Sequence, residues 1–222
     1  MKFATFLFLG ILLLGSFPSM KAAEKADDPA GVSQVAMAFT GGSVYTPTGN
    51  ICLFYPVLLG DLNLDSLFES VLGAPKVDKE HAYLIWVSDY SMVPVTPFQL
   101  KPAIPGLIWM ALVPTGTATI YFSNRPDLRN WTDLTNRSTW GEPVATFVRK
   151  AGLFQSIDGG ISGTAVLTSE LVSSKPFRLN GKMFNFRDLM PHGMTCIEAG
   201  LVKGNSAGDD EAGTCIAIGD GK

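Results

Sequence analysis

The chain reads as an all-β protein with one short helix, built as an antiparallel β-sandwich or a β-barrel of jelly-roll-like character. Three observations point there. About nine short apolar runs recur at roughly twelve-residue spacing, most of them alternating with period two. Glycine, proline and asparagine clusters separate the runs, and a single segment carries helical periodicity.

Val35, Met37 and Phe39 occupy alternate positions and so share one face of a first strand, as Ile51, Leu53 and Tyr55 do in the next. From Tyr83 to Val87 the run is apolar on both faces, Leu84 and Trp86 opposing Ile85 and Val87, which marks a strand covered on both sides. Leu107 to Val113 repeats that character. Thr117 to Phe122 returns to alternation, with Ala118, Ile120 and Phe122 inward. Gly41-Gly42, Pro47-Thr48-Gly49, Pro114-Thr115-Gly116 and Asp158-Gly159-Gly160 supply the positive or fixed φ that a reversing chain needs.

The helix is expected after Asp61 as N-cap. Leu64, Leu67, Phe68, Val71 and Leu72 recur at three- and four-residue spacing opposite Asp65, Ser66, Glu69 and Ser70, until Gly73 and Pro75 stop it. It should cover an open end or face of the sheet. Asp127 to Leu134 suits either a short helical turn or an irregular loop. The sharpest local expectation is a hairpin around Asn180-Gly181, whose type I′ turn matches strand twist. Its register pairs Leu179 with Lys182, Arg178 with Met183 and Phe177 with Phe184. Phe177, Leu179, Phe184 and Phe186 then share one face, and Arg178, Asn185 and Arg187 the other.

Residues 1–23 have the profile of a secretory signal: Lys2, then the apolar run Phe3 to Leu14, then small residues ending at Ala22 and Ala23. A flexible leader over 24–32 and a single β-rich domain over 33–222 follow. The expected location is secreted or periplasmic, with no membrane span left after cleavage. The formal net charge is −3, and Arg149-Lys150 is the one adjacent basic pair, so nothing grips a phosphate backbone and nucleic acid is excluded as a partner.

Of three cysteines, Cys196 and Cys215 are the expected disulfide, clipping the Gly/Asp/Ser-rich segment Gly204 to Gly213. Cys52, within Ile51 to Tyr55, reads as a small core hydrophobe. No Cys/His ligand spacing and no HExxH occur. Asp61-Leu62-Asn63-Leu64-Asp65 imitates a calcium loop until Ser66 and Leu72 stand where Gly and Glu are required. No metal and no cofactor are expected.

No GxSxG elbow is present, since Gly160-Ile161-Ser162-Gly163 lacks its fifth position. A histidine mechanism would have to use His81 or His192. The acids in or beside strands are Asp89, Glu142, Asp188 and Glu198, so the candidate catalytic set is His192, Asp188 and Glu198. Asp89-Tyr90 and Arg187-Asp188 are further places where a pocket is expected, and an Arg/Asp neighbour pair is more often a structural ion pair. The long loop Arg125 to Trp140 holds Arg125, Arg129, Trp131 and Trp140, residue types enriched at binding hot spots, and two sequons, Asn130-Trp131-Thr132 and Asn136-Arg137-Ser138. Its tryptophans serve equally well as caps on the sheets.

Three functional readings follow. The first is a secreted, non-enzymatic β-domain binding a protein, glycan or surface through that loop. The second is a barrel enclosing a small apolar ligand, with Phe39, Trp86, Trp109, Phe122, Phe147, Phe177 and Phe186 as inward aromatics. The third is an exported hydrolase with its site near His192. No catalytic motif specifies an enzyme.

Overall fold

The computed structural model describes residues 35–46, 49–90, 108–112, 115–157, 162–202 and 208–219. Contacts divide the chain between Ala30 and Gly31, and everything described lies in the second unit. The expected signal (1–23) and leader (24–32) lie outside the described residues. In chain order the strands are β1 (Val35–Thr46), β2 (Gly49–Leu59), β3 (Ser70–Val71), β4 (Ala74–Pro75), β5 (Leu84–Tyr90), β6 (Ile108–Leu112) and β7 (Thr117–Phe122). Then come β8 (Glu142–Ile157), β9 (Ser162–Ser174), β10 (Phe177–Leu179), β11 (Lys182–Phe184), β12 (Gly193–Val202) and β13 (Gly208–Ala217). Two one-turn helices are α1 (Leu64–Leu67) and α2 (Phe186–Leu189).

Eight antiparallel staves close on themselves in the order β1-β2-β5-β7-β8-β9-β12-β13, with β13 returning to β1 and β8 joined to β9. Each stave pairs with its successor along the chain. Among the architectures left open by the sequence, this is the up-and-down closed barrel, which removes free sheet edges. β6 lies on the same edge of β8 as β7, its Ile108 to Leu112 facing Ser156 to Gly152 while Thr117 faces Val148. β6 and β7 therefore follow one another along one edge of β8, with Thr115-Gly116 leading into β7; Pro114 of the expected turn lies outside the described residues. Gly41-Gly42 sits inside β1 rather than at a turn. A register shift between Val35 and Met37 turns Val35 to the outer wall, away from Met37 and Phe39.

The expected helix is cut to α1, with Asn63 rather than Asp61 at the N-cap position and no side-chain capping bond. Leu72 (φ 54) and Gly73 (φ 86) form a positive-φ turn that folds β3 onto β4, leaving Leu72 fully exposed. A lone helical turn is too costly to nucleate to hold against that hairpin. Leu67 and Phe68 are nonetheless buried, so the segment covers the barrel as expected. Pro126–Leu128 forms the short helical turn admitted near Asp127.

The Asn180-Gly181 hairpin has the expected register, with Phe177 and Leu179 buried and Arg178 and Met183 exposed. It plugs one end of the barrel. Phe177 meets Phe122 at 4.9 Å and Phe186 at 6.0 Å, and Phe186 meets the luminal Phe147 at 6.4 Å.

Inside, the register sorts side chains into layers. Phe39, Phe54 and Trp86 pack together at 4.8–5.2 Å, with Ile120 and Phe147 following on β7 and β8. One or two inward steps away from the plugged end bring Ser43 on β1, Cys52 on β2, Ser88 on β5, Ala118 on β7, Arg149 on β8, Glu198 on β12 and Glu211 on β13. An apolar, largely aromatic layer thus underlies a polar one.

Cys196 and Cys215 are directly opposed on β12 and β13 and form the disulfide. Gly208 onward belongs to β13, so the bridge ties neighbouring staves instead of clipping a loop. Closing a loop of sequence separation 19 contributes about 3 kcal/mol. Cys52 is buried on the inner wall as expected.

Gly213 shows how tightly the wall is used. A Cβ there would come within 2.7 Å of Phe39 Cζ and 2.9 Å of Glu198 Cα. Gly213→Ala should lower stability by about 1–3 kcal/mol, read as a shifted denaturant midpoint at unchanged slope.

Candidate functional site

The polar layer of the lumen gathers chemistry that a barrel core does not need. Glu198 stands on β12 because Met194, Cys196 and Glu198 alternate inward; Arg149 follows Phe147 on β8 in the same way. Glu198 is 8% exposed and Arg149 3% exposed. Burial pushes the Glu198 pKa up to about 8, the nearby Glu211 carboxylate adds to the rise, and the Arg149 guanidinium opposes it. Glu198 is therefore mostly a neutral acid at neutral pH. The Glu211 side chain lies along Gly200, whose built Cβ would meet its Cγ at 2.8 Å.

β5 lies four staves from β12 around the ring, directly across the lumen. Its inward residues are Trp86 and Ser88. Trp86 Nε1, Ser88 Oγ and Glu198 Oε2 are buried and make no hydrogen bond with any described residue. An unmet buried polar group costs about 1–3 kcal/mol, so three on facing walls call for an explanation. Between these walls the small inward residues Ser43, Ala118 and Ala165 stand beside Cys52, Arg149 and Glu211.

The Arg125 to Trp140 loop is built differently from a free recognition loop. Arg129 is buried, donating from Nε to Trp140 O (3.0 Å), from Nη1 to Ala82 O and from Nη2 to Tyr83 O (2.9 Å), and burial pulls its pKa down to about 10. Trp140 is buried against Tyr121 and Trp131 and donates from Nε1 to Asn130 O. Arg137 grips Asp89 with two bonds of 2.8 and 2.5 Å on the outer wall, which makes Asp89 a structural partner. Of the four candidate residues, Trp131, half-buried beneath the Lys79 ammonium at 5.4 Å, and the exposed Arg125, paired with Asp127, are the accessible ones.

His192, Asp188 and Glu198 are not brought together. His192 is exposed in the turn before β12 with its ring against Gly219, and Asp188 is exposed on α2. Glu198 is six residues further along an extended strand, about 20 Å away. His81 accepts a structural role beside Asp78, Nδ1 to Oδ1 2.5 Å. Among the described residues no group of three His, Cys, Asp or Glu is placed to hold a metal ion, and no helix is long and apolar enough to cross a membrane.

On the outer wall, a groove of about 440 Å³ runs over β1, β13, β12, β9 and β8, floored by Thr40, Ala212, Ala199 and Thr164. Exposed Leu153, Val166, Ile197 and Leu201 lie on the same staves.

Sequence reasoning passed over Arg149 and Ser88. The available signal was parity: each is a polar residue in step with a buried set, Arg149 with Phe147 and Ser88 with Trp86. The chain matches no protein-family model, no curated protein and no solved structure.

Proposed function

We propose that this domain is a binding protein that holds a small, largely apolar molecule in the barrel lumen. The observation that carries this reading is the set of unmet buried polar atoms on facing walls, Ser88 Oγ and Trp86 Nε1 against Glu198 Oε2, above an apolar layer. An eight-stranded barrel is just wide enough to be filled by side chains or to hold one small ligand, and the small Ser43, Ala118 and Ala165 in the polar layer favour the second. The disulfide supports a working place outside the reducing cytoplasm.

Binding through the Arg125 to Trp140 loop has less support, because Arg129 and Trp140 are spent holding the loop in place. Hydrolysis has less again, with His192 and Glu198 far apart.

The test is titration with the neutral fluorophore N-phenyl-1-naphthylamine. The natural sequence and Trp131→Ala should both enhance its emission, whereas Ser88→Phe and Ala165→Leu, which fill the lumen, should abolish the enhancement with the barrel still folded by circular dichroism. Loss in Trp131→Ala with retention in both filled variants would overturn the reading.

A further inference from the structure

We propose that the lumen takes a neutral ligand headed by a hydrogen-bond acceptor, such as a ketone oxygen on an apolar body. Glu198 in its acid form and the Ser88 hydroxyl opposite receive that head, and ionisation of Glu198 releases it. This rests on the luminal reading above and adds the ligand's chemistry and its control.

The donors decide the class. Trp86 Nε1 can only donate, Ser88 Oγ can donate, a protonated Glu198 adds a third donor, and the Arg149 guanidinium near Glu198 can likewise only donate. A ligand oxygen with two lone pairs meets them; a further donor would not. Charge decides the rest. The charged groups acting on Glu198 are Glu211 from β13 and Arg149 from β8, and β2 contributes the Cys52 thiol to the same inner wall. β9 offers Ala165, Leu167 and Ser169, β1 offers Phe39 and Ser43, and β5 offers Trp86 and Ser88, none of which ionises in the working range. Arg149 and Glu211 carry opposite charges. With Glu198 neutral the layer has no net charge left over for a carboxylate or an ammonium head.

Control follows from the same cluster. Once Glu198 ionises, its donor becomes a repelling anion directed at the ligand oxygen. With a pKa of about 8, only about 3% of the acid form remains near pH 9.5, so apparent affinity should fall about 30-fold from its value near pH 6.

The experiment is calorimetric titration of the whole protein with 2-decanone, decanoate and decylammonium at about pH 6 and about pH 9.5, beside Glu198→Gln, which keeps a donor but cannot ionise. The expected result is tightest binding by the ketone, about 30-fold weaker at the higher pH, with the glutamine variant binding it equally at both. Ketone binding that ignores pH, an equal loss in Glu198→Gln, or tighter binding of either charged probe would overturn the inference while leaving a luminal site standing. No binding of any probe at either pH would remove the luminal reading as well.

Discussion

Replacing Glu198 by glutamine should abolish most of the pH dependence of stability between about pH 4.5 and pH 8. The unfolded chain releases the Glu198 proton near the ordinary carboxyl value of 4.5, whereas the folded barrel holds it until about 8. Between those values the folded state binds the extra proton, so stability falls as pH rises through the window and levels off above it. At about 1.4 kcal/mol per pH unit, the wild-type protein loses roughly 5 kcal/mol across the window through this one group. Glu198→Gln keeps the volume and lacks the titration. Denaturant unfolding at four pH values should show a steep decline for the natural sequence and a nearly flat line for the variant. Parallel lines would mean that Glu198 ionises inside the barrel as it does in water.

The second large effect belongs to Arg129. Its guanidinium is the one described side chain that ties the loop to Ala82, Tyr83 and Trp140 at once. Arg129→Ala takes the guanidinium from the buried Ala82 and Trp140 carbonyls, leaves Tyr83 O with the Ser123 N–H alone, and opens a hole beside Trp140, for an expected loss of about 3–5 kcal/mol. Arg129→Lys should recover less than half of it, because an ammonium cannot reach three carbonyls with a planar fork. The diagnostic sign is local. Emission from Trp131 and Trp140 should shift red at denaturant concentrations where the far-ultraviolet signal of the barrel is intact. Coincident transitions, or a loss under 1 kcal/mol, would show that the loop is held by its tryptophans alone.

Much of this architecture was legible in the sequence, and the reason is geometric. Strand character, the two-sided burial of Leu84 to Val87 and the Asn180-Gly181 register depend on residues close in the chain, where alternation and turn chemistry act directly. Ring closure does not. It needs β1 to meet β13, and no local pattern records that those edges join. The overlong helix failed for a related reason: Leu72 matched the helical period but had to adopt a positive φ in the β3–β4 turn. For the site, the strand parity of Glu198 and Arg149 was readable, while their convergence with Ser88 arises from closure of the barrel. In the Arg125 to Trp140 loop composition alone could not separate anchoring from recognition, since arginine and tryptophan serve both, and Arg129 and Trp140 are seen to anchor.

The most direct test of a neutral carboxyl facing the lumen is carboxyl-¹³C NMR of Glu198 against pH, assigned with Glu198→Gln. A resonance that stays in its protonated position through pH 7, turns over near pH 8 and moves when 2-decanone is added is the predicted result. A midpoint in the ordinary carboxylate range, with no response to the ketone, would contradict it.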